Sequence, residues 1–266
     1  MARPCARGCC EGLGVAFLSI LTILAAGPAG AITHGFPDTE HTNVGTLILD
    51  FEGTGALQWC SGTLVSPRIF LTAGHCTEAL DAFRIPLDVV RVSFALNIWA
   101  DHRTWRPVAG WTTHPEYGWG PTSDPHDVGI VTLAEPATDL VPARLPTPGF
   151  LDRLHASGGL RGSTLAVVGY GENEHGVVTG YRQIAFSRVL SLHVAWVYMS
   201  QNVRLGLGGT CEGDSGGPTF ARLDSVEVLV AVTSWGDVPC VATGINYRID
   251  TAGSLAFIEA MIARDR

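Results

Sequence analysis

Short apolar runs alternate along the chain with clusters of glycine, proline and aspartate. The runs are rich in valine, isoleucine, leucine and aromatic residues, and they read TLILDF, RIFLTA, VVRVSFAL, DVGIVTL, TLAVVGY, IAFSRVL, VEVLVAVTSW and GINYRI. Strands of this length at such spacing favour an all-β sandwich or barrel over alternating β-α-β units. The pattern therefore predicts an all-β protein built from many short strands.

Only the end of the chain has the periodicity of a convincing helix. Leu255, Ile258 and Ile262 lie at positions i, i+3 and i+7, just after two residues that can cap a helix. We expect this stripe to pack on the core. Residues 135–149 contain four prolines, which is typical of a linker between two halves.

The first 31 residues have the organisation of an export signal. Two arginines give a positive start, residues 14–26 are apolar or small, and Ala29-Gly30-Ala31 fits an A-x-A cleavage site. A helix of residues 14–26 would rise only about 20 Å, which is too short for a hydrocarbon core of about 30 Å, so a membrane anchor is the weaker interpretation. We expect a signal peptide over residues 1–31 and a secreted mature chain, extracellular or periplasmic, that starts at Ile32.

Charge and composition exclude several classes of function. The net charge of −8 gives no reason to bind nucleic acid or an anionic membrane, both of which reward clustered positive charge. All 17 basic residues are arginine. The absence of lysine from the sequence excludes a P-loop lysine, lysine Schiff bases and Ser-Lys catalytic pairs.

The cysteines fit an oxidising destination. Three lie in the predicted signal, and an even number remains: Cys60, Cys76, Cys211 and Cys240. Four cysteines allow three connectivities, and pairing by proximity joins Cys60 to Cys76 and Cys211 to Cys240. Free buried thiols are the alternative. No spacing typical of zinc ligands occurs, so we expect no metal site and no cofactor.

The stretch TCEGDSGGP, Thr210 to Pro218, contains the strongest candidate nucleophile, Ser215. A serine hydroxyl needs a base to become nucleophilic. The segment also matches G-x-S-x-G, the nucleophile elbow of α/β-hydrolases, but that architecture needs an acid and then a histidine after the serine. No histidine follows Ser215 and no helical pattern follows it either, which counts against an esterase.

Upstream of Ser215 the sequence supplies a histidine and an acid in another order. LTAGHC places His75 beside Cys76, and HDVGIVTL places Asp127 at the head of an apolar strand, where a buried carboxylate needs a polar partner. The motifs SGTLVSPRIFLTAGHC, DVGIVTL, VVGYG, CEGDSGGP and TSWG, with the closing helix, occur in one order along nearly the whole mature chain. In them the chain resembles the trypsin-like (chymotrypsin-fold) serine endopeptidases.

The resemblance implies a fold and a division of the chain. The fold is all-β, with two antiparallel six-stranded β-barrels, the active site between them and a C-terminal helix. Residues 32–266 would form the peptidase domain. We expect the N-terminal barrel at about 32–140, the C-terminal barrel at about 141–250 and the helix at about 252–264.

The resemblance also implies roles for the residues of the motifs. Ser215 would attack the peptide carbonyl, His75 would take and return the proton, and Asp127 would orient the imidazole. The N–H groups of Gly213 and Ser215 would form the oxyanion hole. Asp214 would pair with the α-ammonium of Ile32. Since the predicted signal cut itself exposes Ile32, we expect export and activation to be one event.

The substrate site follows from the same resemblance. Gly209, six residues before the serine, would lie at the base of the primary pocket, and Thr210, Ser234, Trp235, Gly236 and Gly244 would complete the substrate site. With glycines at these positions the pocket is expected to be open and uncharged, and to prefer a medium to large apolar residue over a basic one.

The expected partners are protein or peptide substrates and protein protease inhibitors. Nucleic acid and, after signal removal, membranes are not expected, and the chain is expected to be a monomer. The rival interpretation is a non-catalytic binding protein on the same fold.

Overall fold

The structure is a computed structural model that describes residues 32–51, 55–118 and 123–265. The predicted signal peptide, residues 1–31, lies outside the described residues. Within the described ranges, no helix is both long enough and apolar enough to cross a membrane.

Strands dominate the described chain. In chain order they are β1 (Phe36–Pro37), β2 (Val44–Phe51), β3 (Gly55–Leu64), β4 (Ile69–Thr72), β5 (Val90–Ser93), β6 (Arg106–Thr113), β7 (Gly129–Leu133), β8 (Thr164–Gly169), β9 (Gln183–Leu192), β10 (Trp196–Ser200), β11 (Pro218–Leu223), β12 (Val226–Gly236) and β13 (Thr243–Arg248). The helices are α1 (Gly74–Ala82), α2 (Phe150–Ala156) and α3 (Ala252–Arg264), with short 3-10 turns at Leu87–Val89, His102–Thr104 and Val203–Leu205.

The strands form two closed six-stranded antiparallel β-barrels, as the resemblance to the trypsin-like family implied. The first has the order β2-β3-β4-β7-β6-β5. In the second, β9, β10, β13, β12, β11 and β8 follow one another, and pairing of β8 with β9 closes the ring. The proline-rich segment after β7 contains no strand and leads to α2, between the barrels in the sequence.

The N-terminal segment lies with the second barrel although it precedes the first. Strand β1 pairs with β9, with Phe36 opposite Ile184. Thr33 forms an isolated bridge with Gly209. The start of the described chain is therefore held against the loops that lead to Ser215.

An apolar core joins the barrels. One continuous cluster contains Val44, Ile69 and Ile130 of the first barrel and Val168, Phe220 and Tyr247 of the second, with Ile258 of α3 packed on it. Leu255 and Ile258 are buried and Ile262 is half-buried, so the predicted stripe of α3 does pack on the core. Thr251 caps this helix by accepting a hydrogen bond from the Ser254 N–H.

The expectation of a single convincing helix was wrong. Both α1 and α2 are short, and no side chain caps the start of either one. Helix α1 buries residues of mixed character, Gly74, Cys76, Thr77 and Leu80, against β6 and β7. Its sequence therefore lacks the apolar stripe by which a helix is recognised.

Candidate active site

His75 and Asp127 are brought together by the first barrel. His75 lies in the first turn of α1, and Asp127 lies two residues before β7. The His75 backbone N–H donates to Asp127 Oδ1 at 2.8 Å, and the ring Nδ1 lies 3.0 Å from Oδ2. The carboxylate therefore fixes both the backbone and the ring of the histidine.

Asp127 is buried, with 1% of its surface exposed. Burial by itself raises the pKa of this carboxyl, but attraction and hydrogen bonds from His75, together with a hydrogen bond from Ser234, hold the pKa below its ordinary value. The Ser234 hydroxyl donates to Asp127 Oδ2 at 2.5 Å. Asp127 is thus an anion inside the protein.

Ser215 and His75 face the same cavity. This cavity has a volume of about 270 Å³ and is also lined by Thr210, Ser234 and Trp235. Ser215 lies on the loop before β11, and its carbonyl accepts a hydrogen bond from the Ser61 N–H of β3 at 2.9 Å. A strand of the first barrel thereby anchors the loop of the second.

The loop before Ser215 has a conformation that suits glycine. Gly213 has a φ of 87°, in the region that other residues rarely adopt. A Cβ there would also lie 2.4 Å from Gln58 Oε1. The Gly213 carbonyl accepts hydrogen bonds from Gln58 Nε2 at 2.8 Å and from the Ser61 hydroxyl at 3.1 Å.

The peptide that carries the Gly213 N–H is fixed from its other side. The Glu212 carbonyl accepts from the Glu172 N–H at 2.7 Å. In a trans peptide the N–H points opposite to the C=O, so this bond aims the Gly213 N–H away from Glu172. Among the described residues, the N–H groups of Gly213 and Ser215 donate to no backbone carbonyl.

Asp214 turns away from Ser215 into the interior and is 0% exposed. Its carboxylate accepts from the Gly171 N–H at 2.8 Å and from the Cys211 N–H at 2.9 Å. Burial raises the pKa of Asp214 to about 7, against the lowering effect of these backbone donors. Among the described residues no cationic group is paired with Asp214.

Ile32 is also buried. Its exposed fraction is 0%, and the next residue, Thr33, exchanges backbone hydrogen bonds with Gly209 at 2.9 and 3.1 Å. In the uncut chain the Ile32 nitrogen is a peptide amide and carries no charge. Gly169 and Gly171 leave room for the Asp214 carboxylate, because a Cβ on either would lie within 3 Å of its atoms.

Both disulfides predicted by proximity are present. Cys60 of β3 is bonded to Cys76, directly after His75, and Cys211 is bonded to Cys240. The first ties α1 to β3, and the second lies beside the cavity.

The predicted substrate residues divide into two groups. Thr210, Ser234, Trp235 and Gly236 line the cavity. Gly209 and Gly244 lie behind it, against the side chain of Gln201. The pocket base was expected to be open, but a Cβ on Gly209 would lie only 1.9 Å from Gln201 Oε1, so a glutamine fills that space.

Sequence reasoning missed four contacts around the site. These are made by Gln58 and Ser61 to Gly213, by Ser234 to Asp127, and by Gln201 beneath the pocket. Ser234 and Ser61 stand within quoted motifs, TSWG and SGTLVSPRIFLTAGHC, so those motifs carried a signal. Gln58 and Gln201 stand in no recognised motif, so no signal in the sequence pointed to either residue.

In the part of the chain that the structure describes, two side-chain groups have ligand types that metals use. Cys60, His75 and Cys76 are close, but the two sulfurs form a disulfide. His114, Glu116 and His126 are also close, but the imidazole rings stack at 4.6 Å with an interplanar angle of 8°. The lone pairs of nearly parallel rings do not converge on one point, so this arrangement is a histidine stack rather than a formed metal centre.

Comparison with known proteins agrees with this geometry. The family model described as Trypsin matches residues 35–254. Kallikrein 1-related peptidase b27 of Mus musculus is 32% identical over 207 residues, which cover 68% of this chain and 71% of that protein.

Two further relatives are longer than the matched region. CLIP domain-containing serine protease B15 of Anopheles gambiae is 28% identical over 231 residues, covering 75% of this chain and 62% of its own. Vitamin K-dependent protein C of Mus musculus is 29% identical over 216 residues, covering 72% of this chain and 43% of its own. The chain thus spans less than two thirds of these two proteins.

Three observations lead to one conclusion. The family model matches most of the chain, and the strands form two closed six-stranded barrels. The buried Asp127 is hydrogen-bonded to His75, which faces the same cavity as Ser215. The chain belongs to the trypsin-like, chymotrypsin-fold serine protease family.

Proposed function

We propose that the chain is a secreted serine endopeptidase that hydrolyses peptide bonds through an acyl-enzyme. The observation that carries the proposal is the pair of hydrogen bonds from His75 to buried Asp127, with His75 and Ser215 facing one cavity. This arrangement supplies a nucleophile, a base and a group that orients the base.

In the first half of the reaction Ser215 Oγ attacks the substrate carbonyl carbon. His75 takes the hydroxyl proton through its other ring nitrogen, and Asp127 stabilises the resulting imidazolium. The carbonyl oxygen becomes an oxyanion that the N–H groups of Gly213 and Ser215 stabilise. His75 then donates its proton to the leaving amine, the C–N bond breaks, and an ester to Ser215 remains.

In the second half water replaces the amine. His75 removes a proton from water, the hydroxide oxygen attacks the ester, and the same two N–H groups stabilise the second oxyanion. Collapse returns the proton to Ser215 Oγ and releases the acid. Protein or peptide substrates fit this chemistry, and protein protease inhibitors would bind in the same cavity.

Activation is proposed to depend on the Ile32 amine. Ile32 is already buried, and the next residue, Thr33, bonds to Gly209, five residues before Asp214; the buried Asp214 carboxylate accepts hydrogen bonds from backbone N–H groups. A cut after Ala31 would convert the Ile32 amide into an ammonium group. Pairing that cation with Asp214 would offset the cost of burying the carboxylate and hold the 213–215 loop in place.

The proposal is tested by labelling with a fluorophosphonate, which forms an adduct with an activated serine. We expect one adduct, on Ser215, together with hydrolysis of a denatured protein substrate, and we expect neither in Ser215→Ala. The rival function, a non-catalytic binding protein, predicts a folded and processed chain that takes no label and cleaves nothing.

A further inference from the structure

We propose that Gln201 forms the floor of the primary specificity pocket and limits it to short, uncharged side chains. This inference rests on the proposed peptidase function and replaces the open pocket that the glycines alone suggest.

Gln201 is a buried residue held in one orientation. It follows the last residue of β10 and is 1% exposed, and its N–H donates to the Ala242 carbonyl at 3.0 Å. Its side-chain amide bonds to Thr210 at both ends. Oε1 accepts from the Thr210 N–H at 3.0 Å, and Nε2 donates to the Thr210 carbonyl at 3.1 Å.

Two glycines locate this amide directly behind residues that line the cavity. A Cβ on Gly209 would lie 1.9 Å from Gln201 Oε1, and a Cβ on Gly244 would lie 2.8 Å from the same atom. Gly209 precedes Thr210, and Gly244 pairs with Gly236 across β12 and β13. Thr210 and Gly236 both line the cavity. The volume that the glycines vacate is therefore occupied by Gln201.

The chemistry of this floor selects among side chains. A long aromatic side chain would collide with a residue that two hydrogen bonds hold in place. Arginine or lysine would bring a charge to a neutral amide, and burying an unpaired charge is costly. Asp237 lies at the rim of the cavity and not at this floor, and hydrogen bonds from the N–H groups of Val241, Ala242 and Thr243 hold its carboxylate there. Short neutral residues such as alanine, serine, threonine and valine remain.

Two substitutions make the test sharp. Gln201→Glu keeps the shape of the floor and adds a negative charge, and Gln201→Ala removes most of the floor. Gln201→Met is the matched control, since it keeps similar length without an amide or a charge. Each full-length secreted protein is first labelled with the fluorophosphonate to count active sites, and then profiled on peptides that differ only in the residue before the cleaved bond.

We expect the parent to cleave after alanine or valine at least about tenfold faster than after phenylalanine or arginine, which is the scale of discrimination that pocket shape provides. In Gln201→Glu the ratio of arginine to alanine should rise at least about tenfold, and in Gln201→Ala the ratio of phenylalanine to alanine should rise similarly. Gln201→Met should leave the arginine ratio low.

The outcomes that overturn the inference differ from those that overturn the peptidase function. If the parent is labelled on Ser215 but prefers to cleave after phenylalanine or arginine, the role of Gln201 is contradicted and the peptidase function is not. This result does not depend on whether the variants fold. Variants that label and keep the parent ratios contradict it as well. A parent that takes no label contradicts the peptidase function and this inference with it.

Discussion

Ser234 is a side chain whose role in the structure differs from the one its motif suggested. The sequence placed it in the substrate site, and it does line the cavity, but its hydroxyl donates to Asp127 Oδ2. That donor stabilises the anionic form of Asp127, which is the form that the proposed mechanism needs to stabilise the imidazolium during the reaction.

Replacing Ser234 with alanine should therefore slow catalysis while leaving the nucleophile in place. A hydrogen bond to a charged group contributes about 1.5–3 kcal/mol, so we expect kcat/KM to fall by roughly ten- to a hundredfold. The control is Ser157→Ala, an exposed serine far along the chain at the end of α2. Equal kcat/KM values for the parent and for Ser234→Ala would show that the Ser234 hydroxyl does not contribute to catalysis.

Asp127→Asn should slow catalysis more than Ser234→Ala does, because an amide cannot stabilise the imidazolium. It keeps the side-chain shape, so the folded structure and its thermal midpoint should change little. We expect kcat to fall by about 10⁴, as for the same change in a Ser-His-Asp triad elsewhere. A variant that retains a tenth of the parent kcat would show that Asp127 is not the orienting acid.

At the residue scale, the sequence revealed the groups that stand in short motifs. His75, Asp127 and Ser215 each lie in such a segment, and the structure brings His75 to Asp127 and to the cavity of Ser215. Gln58 and Gln201 could not be found in this way. Gln58 reaches Gly213 across 155 residues, and Gln201 acts through a pocket that only the folded chain creates.

At the element scale, α1 depends on its connections more than on its own sequence. It is nine residues long, has no side-chain cap and carries no acidic residue in its first turn. Isolated helices of this length are marginal. The Cys60–Cys76 disulfide ties its start to β3, and the Asp127 carboxylate accepts from the His75 N–H.

Replacing Cys60 and Cys76 together with serine should loosen this helix. A disulfide that closes a loop of this size contributes about 3 kcal/mol in the chain-entropy model, so we expect a loss of that order in the free energy of unfolding. Activity should fall with it because His75 is held less firmly. Urea unfolding of the parent and the double variant measures the loss. An unchanged midpoint with full activity would contradict this role of the disulfide.

The strands were easier to predict than the helices, for a physical reason. Strands such as β2 and β12 lie in closed barrels and bury most of their residues, so they appear as apolar runs between turns. Strand β3 begins with exposed and half-buried residues and continues through small and polar ones, so no apolar run marks it. Its position follows from pairing with β2 and β4, which a single sequence does not display.

At the scale of the whole molecule, Asp214 makes the stability of the uncut chain depend on pH. In the unfolded chain its pKa lies near 3.8, and in the folded, uncut chain burial raises it to about 7. The folded state therefore holds the proton more tightly. The contribution of the protonated Asp214 carboxyl to the free energy of unfolding is fully present below pH 4. It is lost as the pH rises to 7, and the loss is on the order of 4 kcal/mol.

This pH dependence can be isolated by comparison. Other acids, such as Asp38 and Asp127, have lowered pKa values, so their contributions to the free energy of unfolding change with pH in the opposite direction. Full-length Ser215→Ala, purified with residues 1–31 attached, should lose more stability between pH 4 and 7 than the same chain with Asp214→Asn. Urea unfolding at a series of pH values measures both. Parallel curves would show that Asp214 is not a buried acid with a raised pKa.

The central claim is that a freed Ile32 amine pairs with Asp214 and so completes the site around Ser215. The most direct test is intact-protein and N-terminal mass spectrometry of the secreted protein after fluorophosphonate labelling, since it reads the start of the chain and the state of Ser215 in one molecule. The account predicts that every labelled molecule begins Ile-Thr-His-Gly. A labelled, hydrolytically active protein that begins at any other residue would contradict it.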